Sequence, residues 1–476
     1  VSTQASRRQF LRLAAAGAAT LHAQAAPPPN IVFIMADDLG YGDLGCYGQK
    51  HIQTPNIDRL AAEGLRFTDV YAGCTVCAPS RSVLMTGKHT GHTSVRANTG
   101  GVPLLAEDVT VAEVLQKAGY LTAGFGKWGL GDIGSDGVPW KQGFDTFYGF
   151  LHQIHPHSQY PGFLYANDEV VPFRDNNGGY KDVYGNDLIA RQAVGFLHEG
   201  KMKKKPFFLY LPLTIPHLEL LVPSDSMQPY DKTIVEDGPY HDPRNHYAHQ
   251  NKPRTAYAGM VSRIDRYVGQ LLDTMKDLAL DDNTIVFFCS DNGTATPIWN
   301  DKGYFQSAGP FRGHKTNMYE GGIRTPMIAR WKGRIKPGTV SNLPWYFADI
   351  FPTFADLAGA PIPAGLDGIS VLPTLLGKGT QKKHDYLYWE LPKYNKADGT
   401  FVDEVPMQAV RMGNWKAVRP KPGAPLELYD LAKDIGEKTD VAAKFPAVLK
   451  KMEEICKTAR TAPRVQKDIP NPHWQG

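Results

Sequence analysis

Asn30-Ile31-Val32-Phe33-Ile34-Met35, stopped after Ala36 by Asp37-Asp38-Leu39-Gly40, decides how this chain is read. The apolar run has strand length and no polar alternation, which suits a strand covered on both faces, as in a parallel sheet. Three further segments repeat the plan. Tyr120 to Phe125 leads into Gly126-Lys127-Trp128-Gly129, Pro206 to Leu211 into Thr214-Ile215-Pro216-His217, and Thr284 to Cys289 into Ser290-Asp291-Asn292-Gly293. Helix-period segments lie between them: Thr54 to Gly64, Val109 to Gly119 and Tyr257 to Leu278. Strands alternating with helices predict an α/β fold, with a mainly parallel central sheet flanked by helices. In open sheets of this kind, ligands bind beyond the carboxyl ends of the strands. The four polar stops are therefore expected on one edge.

From about residue 380 the texture changes. Tyr386 to Trp389, Gln408 to Arg411, Trp415 to Val418 and Leu426 to Tyr429 read as short strands, and Phe445 to Ala459 as a closing helix. The expected division is a main catalytic domain over 27–375 and a smaller α+β unit over 380–476, an antiparallel sheet with a helix. Pro27-Pro28-Pro29 reads as a stiff linker before the main domain. The stretch from Pro223 to Lys252, rich in Pro, Asp, His and Tyr, reads as an irregular loop rimming the site.

The 476 residues, 42% hydrophobic and 21% charged, have an ordinary globular composition, and no run approaches the length of a membrane span. The formal charge is +4, and three of its positive charges, Arg7, Arg8 and Arg12, lie in an N-terminal segment without acids. Such a balance gives no footprint for nucleic acid. Ser6-Arg7-Arg8-Gln9-Phe10-Leu11-Arg12 resembles a bacterial twin-arginine export motif. An alanine-rich stretch to Leu21 and the cleavage-like Ala23-Gln24-Ala25 follow it. Residues 1–25 are thus expected to be a signal peptide. The twin-arginine export machinery is the expected partner, and a periplasmic or secreted location follows.

The odd count of five cysteines, Cys46, Cys74, Cys77, Cys289 and Cys456, argues against a complete disulfide framework. Cys74 and Cys77 form a C-x-x-C, but no second such pair or nearby pair of histidines supports zinc. Cys77-Ala78-Pro79-Ser80-Arg81, followed by Leu84, Thr86 and Gly87, is the more specific string. Pro79 suits a first helical turn, so Cys77 is expected just before a helix whose positive end and free N–H groups favour an anion.

This string resembles the signature of the sulfatase family, C-x-P-S-R with a downstream L-x-T-G. The likeness runs from about Asn30 to Arg324 and weakens beyond. It implies an alkaline-phosphatase-like fold and hydrolysis of sulfate esters. It also implies that Cys77 is oxidised by a maturase to formylglycine. In the family one hydroxyl of the hydrated aldehyde attacks sulfur to give a sulfo-enzyme, and the second expels sulfate, splitting one hard step into two. Asp37, Asp38, Asp291 and Asn292 match the family's ligands for Ca2+, or Mg2+. Four oxygen side chains suit a hard cation, although each pair alone also reads as a turn. By the same resemblance, Arg81 holds the formylglycine, Lys127 and Lys315 contact sulfate oxygens, and His217 protonates the leaving alcohol. Glu320, Gly321, Gly322 and Arg324 are expected to be structural support.

One departure from the family's pattern matters. Many sulfatases read G-K-W-H-L-G, where this chain has Gly126-Lys127-Trp128-Gly129-Leu130-Gly131. Gly129 replaces a histidine that touches the formylglycine, and His314, beside Lys315, is the candidate substitute. His157, in the His155-Pro156-His157 string, is the candidate for substrate recognition, a plain loop histidine being the alternative. The expected substrate is a sulfated carbohydrate or an aryl sulfate. The rivals are a phosphonate monoester or phosphodiester hydrolase and, should Cys77 stay unmodified, a non-catalytic sulfoglycan-binding protein.

Overall fold

The computed structural model describes residues 27–464, apart from 99–101, 243, 245, 296–302 and 396–399. The expected signal peptide over 1–25 lies outside the described residues. A ten-stranded sheet dominates. At its centre Leu121–Lys127, Phe207–Pro212, Asn30–Ala36 and Thr284–Ser290 lie side by side, all parallel. Thr146–Phe150 extends the parallel set beyond Leu121–Lys127. Antiparallel strands flank this set on both sides, Met327–Arg330 against Thr284–Ser290 and Phe163–Ala166 against Thr146–Phe150.

The uninterrupted apolar runs have a direct structural reason. Successive residues of a strand point to opposite faces, and here both faces are core. Ile31, Phe33 and Met35 enter one apolar cluster with Phe208, Tyr210, Ile285 and Phe287. Val32, Ile34 and Ala36 enter the other, with Leu209, Leu211, Val286 and Phe288. The helices covering these faces include Pro55–Ala62, Cys77–Thr86, Val111–Lys117, Gly185–Lys203 and Pro253–Asp277. Thr110 caps Val111–Lys117 reciprocally with Glu113, which fixes that helix's start. Pro253–Asp277 begins four residues earlier than the apolar period suggests, because Pro253 is accommodated at its first position. The stretch 223–252 is less irregular than expected: it holds the short helix Ser224–Met227 and a Tyr240–Gln250 bridge.

The second sheet is antiparallel, in the order Leu387–Leu391, Met407–Met412, Trp415–Arg419, Glu427–Asp430. Helix Pro446–Thr458 covers it, with Met452 and Cys456 packed on Tyr388, Val410 and Leu428. No helix among the described residues is long and apolar enough to cross a membrane.

Candidate active site

The four central strands deliver their polar ends to one edge. Asp37 and Asp38 follow Asn30–Ala36, Lys127 ends Leu121–Lys127, His217 lies beyond Phe207–Pro212, and Asp291 and Asn292 follow Thr284–Ser290. The Asp291 amide donates to the Ala36 carbonyl at 3.1 Å and the Asp37 amide to the Ile215 carbonyl at 3.1 Å, so the strand exits are tied together. Asp38 takes a left-handed φ of 65°, a conformation uncommon outside glycine, asparagine and aspartate. Its amide donates to Asp291 Oδ1 at 3.2 Å.

Cys77 opens the helix Cys77–Thr86 as its first residue instead of preceding it. The helix end is also less open to an anion than its position suggests. The Ala78 amide donates to Asn98 Oδ1 at 2.8 Å, Pro79 has no N–H, and the Ser80 amide turns back to the Val76 carbonyl at 3.3 Å. Anion binding here therefore falls mainly to side chains.

The Cys77 thiol is buried, with Sγ 3.2 Å from Asp37 Oδ1 and 3.5 Å from Lys315 Nζ. One ligand atom from each of Asp37, Asp38, Cys77 and Asp291 can be chosen so that all four lie within 4.8 Å of one another. Three cations answer the three carboxylates, Arg81 and Lys127 buried and Lys315 partly so. Arg81 holds Asp291 Oδ2 through Nε at 3.1 Å and Nη2 at 2.7 Å. Lys127 Nζ lies 2.8 Å from Asp37 Oδ2, and Lys315 Nζ lies 2.8 Å from Asp38 Oδ2. Asn292 donates through Nδ2 to Asp38 Oδ1 at 2.8 Å, while its Oδ1 is buried without a partner. With three carboxylates beside it, this acceptor belongs to an all-oxygen set of the kind that could hold a hard cation.

The electrostatics follow from this packing. Burial works to raise the Asp37 carboxyl, but Lys127, His217, Arg81 and Lys315 together hold it well below the ordinary range. Burial and the neighbouring Asp37 push Asp291 up. Burial, then Asp291 and Asp37, push the Cys77 thiol far above its ordinary value, so the unmodified sulfur stays a neutral, weakly nucleophilic thiol. Burial and then Lys315 bring His217 down to about 3, so its ring is neutral near pH 7. Its Nδ1 donates to the Leu218 carbonyl. That leaves Nε2, 3.5 Å from Asp38 Oδ2, as the atom able to exchange a proton.

A cavity of about 620 Å3 opens over this cluster, lined among others by Cys77, Lys127, His217 and Lys315. His157 lines it too, stacked on His217 at 4.8 Å and joined through Nδ1 to His246 Nε2 at 2.8 Å. His314 is placed differently. Its Nδ1 meets the Lys315 carbonyl at 2.7 Å, and its ring lines a separate cavity of about 280 Å3 with Thr294 and Tyr257. The space beside Gly129 is filled by Gln153. A Cβ at 129 would fall 1.7 Å from Gln153 Nε2, which donates to the Gly129 carbonyl at 2.9 Å. Gln153, Asn98, Arg244, His246 and Tyr247 also line the larger cavity and were not singled out from sequence. His246 and Tyr247 had a signal in the His- and Tyr-rich composition of residues 223–252, whereas nothing in the sequence pattern pointed to Asn98, Gln153 or Arg244.

A family model described as sulfatase matches residues 29–360. The chain belongs to the sulfatase family. A second model, N-sulphoglucosamine sulphohydrolase C-terminal, matches residues 311–461. This sulfatase is 35% identical to arylsulfatase A of Homo sapiens, over 94% of this chain and 90% of that protein. It is 34% identical to N-acetylgalactosamine-6-sulfatase of Canis lupus familiaris, over 78% of this chain and 70% of that one. Among solved structures, Ps i-CgsB in complex with k-i-k-neocarrahexaose superposes with a TM-score of 0.75 at 30% identity. The match covers 93% of this chain and 95% of that one. The sulfatase is thus an enzyme of sulfate ester hydrolysis, on a large mixed sheet flanked by helices with a small antiparallel sheet beside it.

Proposed function

We propose that this sulfatase removes sulfate from a sulfated carbohydrate, using formylglycine made from Cys77 by a maturase and a divalent cation, Ca2+ or Mg2+. One observation carries the reading: the Cys77 side chain meets Asp37 at 3.2 Å and Lys315 at 3.5 Å, in the lining of a cavity. Asp37, Asp38, Asp291 and the orphaned Asn292 Oδ1 fit a hard cation, which prefers oxygen ligands. When present, the aldehyde hydrate supplies the hydroxyl nucleophile and the cation draws charge from the sulfuryl oxygens.

The chain's own residues do the rest. Arg81, fully buried and clamped on Asp291, fixes that carboxylate's orientation toward residue 77. Lys127 and Lys315 bring positive charge to the site of the sulfate oxygens. His217 Nε2 faces the leaving oxygen, and a bound anion raises its low proton affinity so that it can donate there. The imidazole and phenol rim formed by His157, His246 and Tyr247 suits a sugar, an amphipathic ligand with many hydroxyls. The N-acetylgalactosamine-6-sulfatase relative and the hexaose held by Ps i-CgsB support a carbohydrate. The Arg7-Arg8 segment supports export by the twin-arginine route to the periplasm or beyond.

The test has three arms. Mass of the Cys77 peptide reads thiol against aldehyde. Melting with added Ca2+ or Mg2+ is expected to rise in the wild type and far less in Asn292→Ala. Sulfate and phosphonate esters of one aryl alcohol separate sulfatase from phosphonate hydrolase. An aldehyde-bearing, metal-loaded enzyme inert to every sulfate ester would sink the proposal, and an unmodified Cys77 would favour a binding protein.

A further inference from the structure

Arg244 lines the same cavity as Cys77 and Lys315, yet it belongs to neither the cation cluster nor the lysines that meet sulfate. It is held by a built loop. Asp242, its side chain 1% exposed, accepts from the amides of Arg244, His246 and Tyr247, each at 3.1 Å. The base of the loop is closed by Tyr240 and Gln250, whose amides exchange bonds of 2.8 and 3.1 Å. Gln250 Nε2 is tied to the Leu220 carbonyl at 2.7 Å, and the Ala248 amide to Glu219 Oε1 at 3.2 Å. These bonds anchor the loop to the chain just after His217.

One buried carboxylate therefore presents Arg244, His246 and Tyr247 together. A row of contacts separates them from the scissile position: His217 lies 3.5 Å from Asp38, His157 stacks on His217 at 4.8 Å, and His246 meets His157 at 5.1 Å. Arg244 thus addresses the part of a substrate that projects away from the bond being cut. Its Nε reaches back to Asp242 Oδ1 at 3.4 Å. Its terminal nitrogens have no partner among the described residues, and the side chain is 66% exposed.

We propose that Arg244 binds a second anionic group of the substrate, a carboxylate or a further sulfate, so that the enzyme favours multiply charged sugars. The inference rests on the sulfated-carbohydrate reading above. A guanidinium keeps its charge at any working pH, and its planar pair of N–H groups matches two oxygens of such an anion. Lys127 and Lys315 already serve the scissile sulfate, so a further fixed cation at the rim adds nothing for a singly charged sugar.

The experiment compares wild type, Arg244→Ala and Arg244→Lys on three substrates that share one sulfated sugar. One is singly charged, one carries a second sulfate and one carries a uronate carboxylate. The readout is the ratio of kcat/KM for each doubly charged sugar to that for the singly charged one. Arg244→Ala is expected to lower that ratio about tenfold, equivalent to about 1.4 kcal/mol. Arg244→Lys should recover only part of it, because a point charge lacks the fork. A fall confined to the disulfated sugar names sulfate as the second group, and one confined to the uronate names carboxylate. An unchanged ratio for both overturns the proposal. Kd values of the same sugars for Cys77→Ser, with and without Arg244→Ala, keep the two readings apart. An enzyme that cleaves no sulfate ester sinks the sulfatase proposal, whereas equal affinities sink only this one.

Discussion

Two clusters of buried charge lie in this molecule, and they are built to opposite ends. At the sheet edge, Asp37, Asp38 and Asp291 face Arg81, Lys127 and Lys315 beneath a cavity, with the Asn292 carbonyl unmatched. Where the small sheet joins the main body, Lys416 lies 2.9 Å from Glu320 and 2.9 Å from Glu437, all three buried. Around it Tyr71 and Arg324 both donate to Glu320 Oε2 at 2.8 Å, and Arg411 reaches Asp69 at 3.0 Å. At the joint the charges answer one another, Lys416 Nζ standing 2.9 Å from both carboxylates. The site cluster lies under a cavity and leaves Asn292 Oδ1 with neither a hydrogen bond nor an ion pair. Buried charge by itself therefore does not mark a site. Charge under a cavity with one unmatched acceptor does.

The comparison breaks if both clusters respond alike. The largest expected effect is on turnover: Cys77→Ala should lower sulfate ester hydrolysis at least about 10³-fold, with melting nearly unchanged because only a few side-chain atoms are removed. Next, Lys416→Met leaves two buried carboxylates facing each other at the joint. It should cost about 3–5 kcal/mol, seen as a fall of about 3–5 °C in melting. The kcat of the molecules that remain folded should hold. A Lys416→Met variant that melts normally but loses turnover would mean that the joint belongs to the site.

A subtler prediction concerns Gly129, where the chain departs from its family. Restoring histidine there should not help on its own. Gly129 has φ +77°, and a Cβ would collide with Gln153 at 1.7 Å. Gly129→His should cost about 1–3 kcal/mol and lower activity. Gly129→His with Gln153→Ala should recover only the part due to the clash, because the left-handed backbone still penalises a side chain. A single variant as stable as wild type would show that neither the backbone nor Gln153 resists a side chain at 129.

Much of this was legible in the sequence, and the limits are physical. The apolar runs gave the strands, because a strand buried on both faces leaves no polar alternation to misread. The polar stops then fell on one edge, since parallel strands all end on the same side. Distance-dependent features were not legible. That Gln153 fills the space beside Gly129, or that Asp242 gathers three amides to present Arg244, depends on how separate loops meet. No local pattern encodes that. The open helix end expected at Cys77 also misled, because Asn98, distant in sequence, already takes the Ala78 amide.

The smallest expected effect tests whether the joint's periphery, unlike the site, is tuned only for stability. His384, just ahead of the strand Leu387–Leu391, places Nε2 2.8 Å from Asp349 Oδ1. Asp349 also receives the Tyr346 amide at 3.0 Å and the Ile369 amide at 2.6 Å. Burial opposes charge on the imidazole, but Asp349, helped by Asp367 and Asp385, outweighs it and holds the ring above its ordinary 6.5. A group raised in the folded state adds stability in full below its unfolded value, and that stability is lost as pH rises through the folded one. His384→Asn should therefore be less stable than wild type by about 1 kcal/mol at pH about 6, and the gap should close toward pH about 9. Activity per folded molecule should not follow the same curve. A gap that widens with pH would mean that the imidazole is buried neutral and that Asp349 fails to outweigh the desolvation.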